Sequence, residues 1–485
     1  MKKVLAVLAV LLLISVAVTG CAGRNETPVS AQTQATEKQE QQIPVTEKAT
    51  EVPFELTLDG VSYSRDAAQI CTSSISGEDL EKLPQMTGLE QVTVTEGGSG
   101  ENLEQLRTYC DENAIAFQLE LVGQTVTDET EELTLSGVTE EQIFLLSLMP
   151  NLRSLHLPEP EASAESLLAL REKLSGTAVT WEKTVLTIPF REDAAVIDLM
   201  PVLALHEGEK LGDKTAWEYG LEFETMGDQE RPHRTAKVLP NHPFPDRTDD
   251  TGQILQEVEA AMAYFPEAQV LELCGTWLDN ESVSQFRERH REDYKVVWTV
   301  LCGDLAPRTD AKFFMPTKYY VTSGNFNDLY SYNLQYCEEI VAMDIGHMHI
   351  SDIDFVRYMP DLTYLVMLSQ PVMDLTPLAS CKKLVFLELS MCDWITDYTP
   401  LQQCTALEDL SVERASDNIE PLLEMTWLKN LWLGDFGQEK YRAAVEALPN
   451  TRIVYDGSTV EAWRAWRSLP NYFKMRDALL MFYMD

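Results

Sequence analysis

The sequence predicts an α/β repeat solenoid, with parallel strands along a concave face, helices and turns along the convex face, and an aromatic cap at its C-terminal end. The first observation behind this is one apolar phrase written five times: Ile340-x-x-Met343-x-Ile345, Leu362-x-x-Leu365-x-Met367, Leu384-x-x-Leu387-x-Leu389, Leu407-x-x-Leu410-x-Val412 and Leu428-x-x-Leu431-x-Leu433. Its starts lie 22, 22, 23 and 21 residues apart, the period of a leucine-rich repeat. The second is a looser alternation of short strands and amphipathic helices upstream. The third is the density of aromatic residues in the final stretch of chain.

Taken in order, residues 1–20 read as a signal peptide. Lys2 and Lys3 form a charged start, Val4 to Val18 an apolar run of 15 residues, and Val18-Thr19-Gly20-Cys21 the apolar, small, small, Cys order of a bacterial lipobox. The run is short for a membrane span of about 20 residues. It resembles a lipoprotein signal peptide, which implies lipidation of Cys21 and a place on the extracellular face of the cell membrane. Residues 21–53 are rich in Thr, Gln, Glu, Ala and Ser. Such a segment buries too little apolar surface to offset its chain entropy, so it is expected to be a disordered tether.

Residues 54–330 are expected to hold irregular strand–helix repeats. Leu89 to Val94, Ile115 to Leu121, Leu133 to Leu135, Leu152 to Leu157, Val179 to Val185, Val270 to Leu273 and Val296 to Val300 read as strands. Glu101 to Tyr109, Glu140 to Leu148, Ala164 to Leu174 and Glu281 to Arg291 carry apolar residues at helical spacing. Arg65-Asp66-Ala67, Arg191-Glu192-Asp193-Ala194 and Arg308-Thr309-Asp310-Ala311 suggest a longer unit of roughly 120 residues. Residues 203–250, with Pro232, Pro240, Pro243 and Pro245, read as a loop insertion. Residues 331–455 hold the regular repeats, and 456–485, with Trp463, Trp466, Tyr472 and Phe473, the cap that an open repeat end requires.

A formal charge of −40, from 78 acidic against 38 basic residues, argues against nucleic acid as a partner, which needs a basic footprint. Of the nine cysteines, Cys337, Cys381 and Cys404 each stand three residues before a repeat's first strand residue, where sister repeats carry Met359 and Met425. They read as buried, reduced hydrophobes; Cys274 and Cys302 are the one pair placed to bond. Asp352, Asp374, Asp397 and Asn418 recur at one repeat position and are expected to accept backbone N–H bonds. No Gly-rich phosphate loop, HExxH, CxxC or nucleophile elbow occurs. His347 and His349 with Asp352 and Asp354 could be drawn as a metal site, but the expected reading is no metal, no cofactor and no catalytic centre.

Asp374-Leu375-Thr376-Pro377-Leu378 and Ile395-Thr396-Asp397-Tyr398-Thr399-Pro400-Leu401 resemble the I-x-D-L-x-P-L repeats of internalin-like bacterial surface proteins, over about a fifth of the chain. With Trp298-Thr299-Val300 and Trp466-Arg467…Pro470-Asn471-Tyr472…Met475-Arg476-Asp477, the chain as a whole is similar to leucine-rich repeat lipoproteins of low-GC Gram-positive bacteria. It departs from the pattern at Ser369-Gln370 and Glu413-Arg414, where an Asn ladder is usual. The resemblance implies recognition or adhesion of an extracellular protein or glycan, and names no ligand. In such strands the residues between the leucines face the concave side, so Asp344, Tyr364, Val366, Leu368, Phe386, Glu388, Asp409 and Trp432 are the expected ligand-binding residues. The alternative is an exported enzyme or a transport-associated lipoprotein.

Overall fold

A computed structural model describes residues 54–479, apart from 98–100, 187, 275, 277, 304, 317–325, 414–417, 456–458 and most of 200–250. The signal peptide, Cys21 and the tether lie outside the described residues. The front of the chain is built from a unit that recurs. A hairpin of β1 (Leu56–Leu58) and β2 (Val61–Tyr63) leads into three parallel strands, β3 (Gln69–Thr72), β4 (Gln91–Thr95) and β5 (Ala116–Leu121), with helix α1 (Glu101–Asn113) between the last two. The antiparallel return β6 (Gln124–Thr127) closes this sheet. The next is β7 (Glu132–Thr134), α2 (Glu140–Leu146), β8 (Ser154–Pro158), α3 (Ala164–Lys173), β9 (Ala178–Val185) and again an antiparallel return, β10 (Ile188–Arg191).

Each return ends in the same turn: Ala67 N–H donates to Ser64 O, Thr130 to Thr127, Ala194 to Arg191 and Ala311 to Arg308. These turns stand 63, 64 and 117 residues apart. The unit of roughly 120 residues read from the sequence is therefore two modules of about half that length, and the third module has been lengthened by an insertion. The middle copy, Thr127-Asp128-Glu129-Thr130, lacks the Arg and Ala of its sisters, so no sequence match marks it. Hairpin tips carry the left-handed residues such turns need: Asp59 and Gly60, Val122 and Gly123, Leu186, and Gly303.

An arginine holds each module together. Arg107, Arg171 and Arg287, one on each module's last helix, lie over Phe117, Trp181 and Trp298 at 4.9, 4.2 and 4.9 Å. Arg107 also pairs with Asp128 of the turn at 2.8 Å, and Arg171 with Glu192 of the turn at 3.2 Å. Glu192 is buried and accepts the Trp181 N–H as well. In the third module the turn offers Thr309, whose hydroxyl accepts the Trp298 N–H, and Arg287 turns instead to Glu338 of the following repeat.

The third module is β11 (Val196–Asp198), the insertion, α4 (Thr251–Met262), β14 (Val270–Glu272), α5 (Asn280–Arg289) and β15 (Lys295–Val297). The expected loop at 203–250 is not wholly loop: β12 (Leu221–Met226) and β13 (His233–Val238) pair as a hairpin, and β13 pairs antiparallel with β16 (Leu305–Ala306). The polar and apolar alternation of Leu221-Glu222-Phe223-Glu224 is the sequence signal for it.

The regular repeats form one parallel sheet, one strand per repeat: β17 (Phe313–Phe314), β18 (Ala342–Asp344), β19 (Tyr364–Val366), β20 (Phe386–Leu389), β21 (Asp409–Glu413), β22 (Asn430–Gly434) and β23 (Arg452–Tyr455). Met343, Leu365, Leu387, Leu410 and Leu431 point to an inner face and are fully buried. Opposite them, short 3-10 turns replace helices at Asp354–Tyr358, Thr376–Ser380 and Thr399–Gln403, and a full helix, α6 (Gln438–Ala447), returns before β23. Asp352, Asp374, Asp397 and Asn418 each accept the N–H two residues on, at 2.8 to 3.1 Å; the three aspartates so start the 3-10 turns, and Asn418 the short helical turn Glu420–Leu423. Gln370 is buried and ties two neighbouring turns: it accepts the Ile350 N–H and donates to Ile345 O, both at 2.6 Å.

Among the described residues every cysteine is free, Cys274 and Cys302 included. Cys337, Cys381 and Cys404 are buried and each thiol points to a carbonyl of the preceding turn, Arg308, Val356 and Leu378. Burial pushes the Cys381 thiol up to about 11 and Cys404 to about 12, so neither is a nucleophile in the folded protein.

Two measurements follow from this packing. Arg171→Ala strands the buried Glu192 carboxylate and should cost about 2 kcal/mol in denaturant unfolding; an unchanged midpoint would show that the arginine is ornamental. Cys404→Ala should cost on the order of 1 kcal/mol, and a thiol reagent should label Cys337, Cys381 and Cys404 only after denaturation, without prior reduction.

Candidate functional site

Strand residues alternate between faces, so the repeat that buries the leucines turns their neighbours to an outer face. On β18 to β22 that face carries Ala342, Val366, Phe386 and Trp432, an apolar row, with Asp344, Glu388, Asp409 and Glu413 beside it. The sequence expectation placed these in solvent. The structure buries Val366, Phe386, Glu388, Asp409, Glu413 and Trp432, and leaves Asp344, Tyr364 and Leu368 only partly accessible.

The cover is the aromatic tail. Helix α7 (Val460–Arg467) starts at Thr459, whose hydroxyl accepts the Ala462 N–H, and α8 (Pro470–Ala478) starts with a proline at its first position. Trp466 of α7 stands 5.1 Å from the ring of Phe386 and 5.7 Å from Trp432, while Trp463 meets Trp432 edge-on at 4.6 Å. Leu469, Met475 and Leu479 complete the cluster. The tail was expected at the open end of the repeats; it lies instead across the strands' outer face, because that face presents apolar side chains that water would otherwise meet.

Two carboxylates of the sheet take hydrogen bonds from the tail. Trp466 Nε1 donates to Glu388 Oε2 at 3.2 Å, and Asn471 Nδ2 to Glu408 Oε2 at 3.0 Å. Burial pushes the Glu388 carboxyl up to about 7, with Asp344 and Glu413 adding to the rise against the Trp466 bond and Arg467. Asp409 is raised by burial too, against its bonds to Asn430 and Asn471. Glu408 goes the other way, held down by Lys429 and then Asn471.

The front sheets differ. Their outer rows, Gln91 and Thr93 on β4, Gln118 on β5, His156 on β8 and Thr180 on β9, are partly exposed and polar. Gln118 Nε2 donates to Thr93 Oγ1 at 2.9 Å, and His156 Nδ1 lies 3.1 Å from Thr180 Oγ1. The sequence reading missed this row because its residues are ordinary polar types with no motif; their period-two placement opposite Val92, Phe117, Leu155 and Val179 was the available signal. His347 and His349 are exposed at left-handed turn positions, and among the described residues no three His, Cys, Asp or Glu side chains stand close enough to hold a metal.

No family model matches the chain, and no curated protein does. Among solved structures it is similar to an internalin C2 from Listeria monocytogenes, at 18% identity over 26% of this chain and 64% of that one, just under two thirds of its length, with a TM-score of 0.20. It is also similar to a second Listeria monocytogenes internalin, at 14% identity over 76% and 80% with a TM-score of 0.23. A leucine-rich repeat protein of Leptospira interrogans matches at 13% identity over 79% and 93%, with a TM-score of 0.24.

Phe386→Ala should now cost about 3 kcal/mol of stability, where Tyr364→Ala costs under about 1 kcal/mol. Equal, small effects in denaturant unfolding would mean that the tail does not cover the sheet in solution.

Proposed function

We propose that the protein is a lipid-anchored, cell-surface recognition protein that meets a protein partner through the outer face of its front sheets. The observation that carries this reading is the contrast between two outer faces of one chain: the rear one is covered by the protein's own tail, the front one is uncovered and lined with amide and hydroxyl groups. A rigid row of side chains on adjacent parallel strands suits recognition rather than chemistry. Its flanks carry Glu120 and Glu182, and the chain is strongly acidic, so a partner with cationic side chains is the complementary one. The role first expected of Asp344, Tyr364, Val366, Leu368, Phe386, Glu388, Asp409 and Trp432 becomes conditional on the tail leaving them.

The lipobox supports tethering at Cys21, with residues 22–53 as the spacer. Cys21→Ala should abolish labelling by a fatty-acid analogue in cells that lipidate proteins, and persistent labelling would remove the anchor from the reading. For recognition, residues 54–485 are to be screened on arrays of surface proteins and glycans. Gln118→Arg and Thr180→Arg should each weaken the resulting hit at least about tenfold with the melting temperature unchanged. Normal binding by both variants would move the site elsewhere, and a hit confined to glycans would overturn the choice of partner.

A further inference from the structure

The cluster beneath the tail is separate from the inner core. The inner core gathers the leucine columns; the outer one comprises Val366, Phe386 and Trp432 from the sheet with Trp466, Leu469, Met475 and Leu479 from the tail. The two are divided by the thickness of the strands, so the tail can leave the sheet without disturbing the leucines. The centre of the outer cluster holds a carboxyl group, Glu388, 5% exposed, with the Trp466 indole as its hydrogen-bond donor. Facing it are Asp344 on β18, Glu413 on β21 and Arg467 on α7, with the Cys392 thiol behind it on the turn after β20. Two neighbouring acids and one cation are a poor setting for a carboxylate and a good one for a carboxylic acid.

We propose that the two C-terminal helices are an acid-closed latch: they lie on the outer face while Glu388 is protonated, and lift from it when Glu388 ionises, baring Val366, Phe386 and Trp432. The latch is independent of what the front sheets bind. Its sign follows from linkage. Covered, Glu388 holds its proton to about 7; uncovered and wet, it returns to its ordinary 4.5. The covered state therefore binds the proton more tightly, its advantage is complete below about 4.5, and it is lost as pH rises through 7. Asp409, also raised by burial, acts in the same sense. Glu408 opposes them, but its first partner is Lys429 on the sheet itself, present whether or not the tail is docked.

Hydrogen exchange of residues 54–485, read by mass spectrometry at pH 5 and pH 8 and corrected for the intrinsic pH dependence of exchange, tests this. Protection of peptides within 460–479 should fall on the order of 50-fold between the two, while peptides of β20 to β22 that face the inner core keep theirs. Glu388→Gln, uncharged at both, should hold the tail equally at each pH. Trp466→Phe keeps an aromatic ring but removes the donor that favours the ionised acid, so the covered carboxyl should hold its proton to higher pH and the fall in tail protection between pH 5 and pH 8 should exceed the parent's. Equal protection of the parent's tail at pH 5 and pH 8 would overturn the latch, as would an unaltered pH response in Glu388→Gln. Loss of tail and strands together would show one cooperative unit and overturn it too. If Glu388→Gln does not fold, Trp466→Phe decides: a fall in protection no larger than the parent's overturns the latch.

Discussion

The inner apolar core is the constraint on which the rest depends. It runs without a break from Val185 and Ile197 at the junction of the second and third modules, through the leucine columns, to Leu433 and Leu448. A repeat of this length cannot bury its own leucines; each stacks on its neighbour's, and the burial is continuous or absent. That requirement fixes the strand register, and the register in turn decides which residues appear on the outer face. The turns are fitted to the same demand. Asp374 and Asp397 tie off backbone N–H groups at the surface, while Gln370 and the cysteine thiols satisfy carbonyls inside the stack.

The front modules meet the demand in another way. Their helices need cementing to strands across a wider gap, and an arginine laid over an aromatic ring does this with its stem and its charge together. In the first two modules the guanidinium closes on an acid of the module's own turn. In the third, Arg287 reaches past its turn to Glu338, so the same device that seals one module there joins it to the repeats that follow. An exposed ion pair would contribute little; here the acid at Glu192 is buried, and its partner is what makes that burial tolerable.

Covered and uncovered outer faces give the two halves different work. A polar row of Gln, Thr and His needs no cover and can be offered to a partner. A row of Val, Phe and Trp cannot remain wet at low cost, and the chain supplies its own cover from Trp463 to Leu479. Once covered, the carboxyl groups among those apolar residues lose water, and Glu388 and Asp409 become reluctant to ionise.

By itself the sequence determined the repeat: the spacing of Leu365, Leu387, Leu410 and Leu431 set the strands, and most front strands and helices fall within a residue or two of their predicted positions. It also determined the burial of Cys337, Cys381 and Cys404 and the turn-starting role of Asp374 and Asp397, since these depend on contacts within one repeat or between adjacent ones. The antiparallel returns β6 and β10 were not legible, because each contributes only one or two apolar residues, Val126 in the first and Ile188 and Phe190 in the second, too few to set a period of their own. The tail's position was decided only by tertiary structure. Periodicity says which residues share a face, but whether that face meets water depends on a segment more than 70 residues further on, and Trp466 closing on Glu388 is a contact that no local pattern encodes.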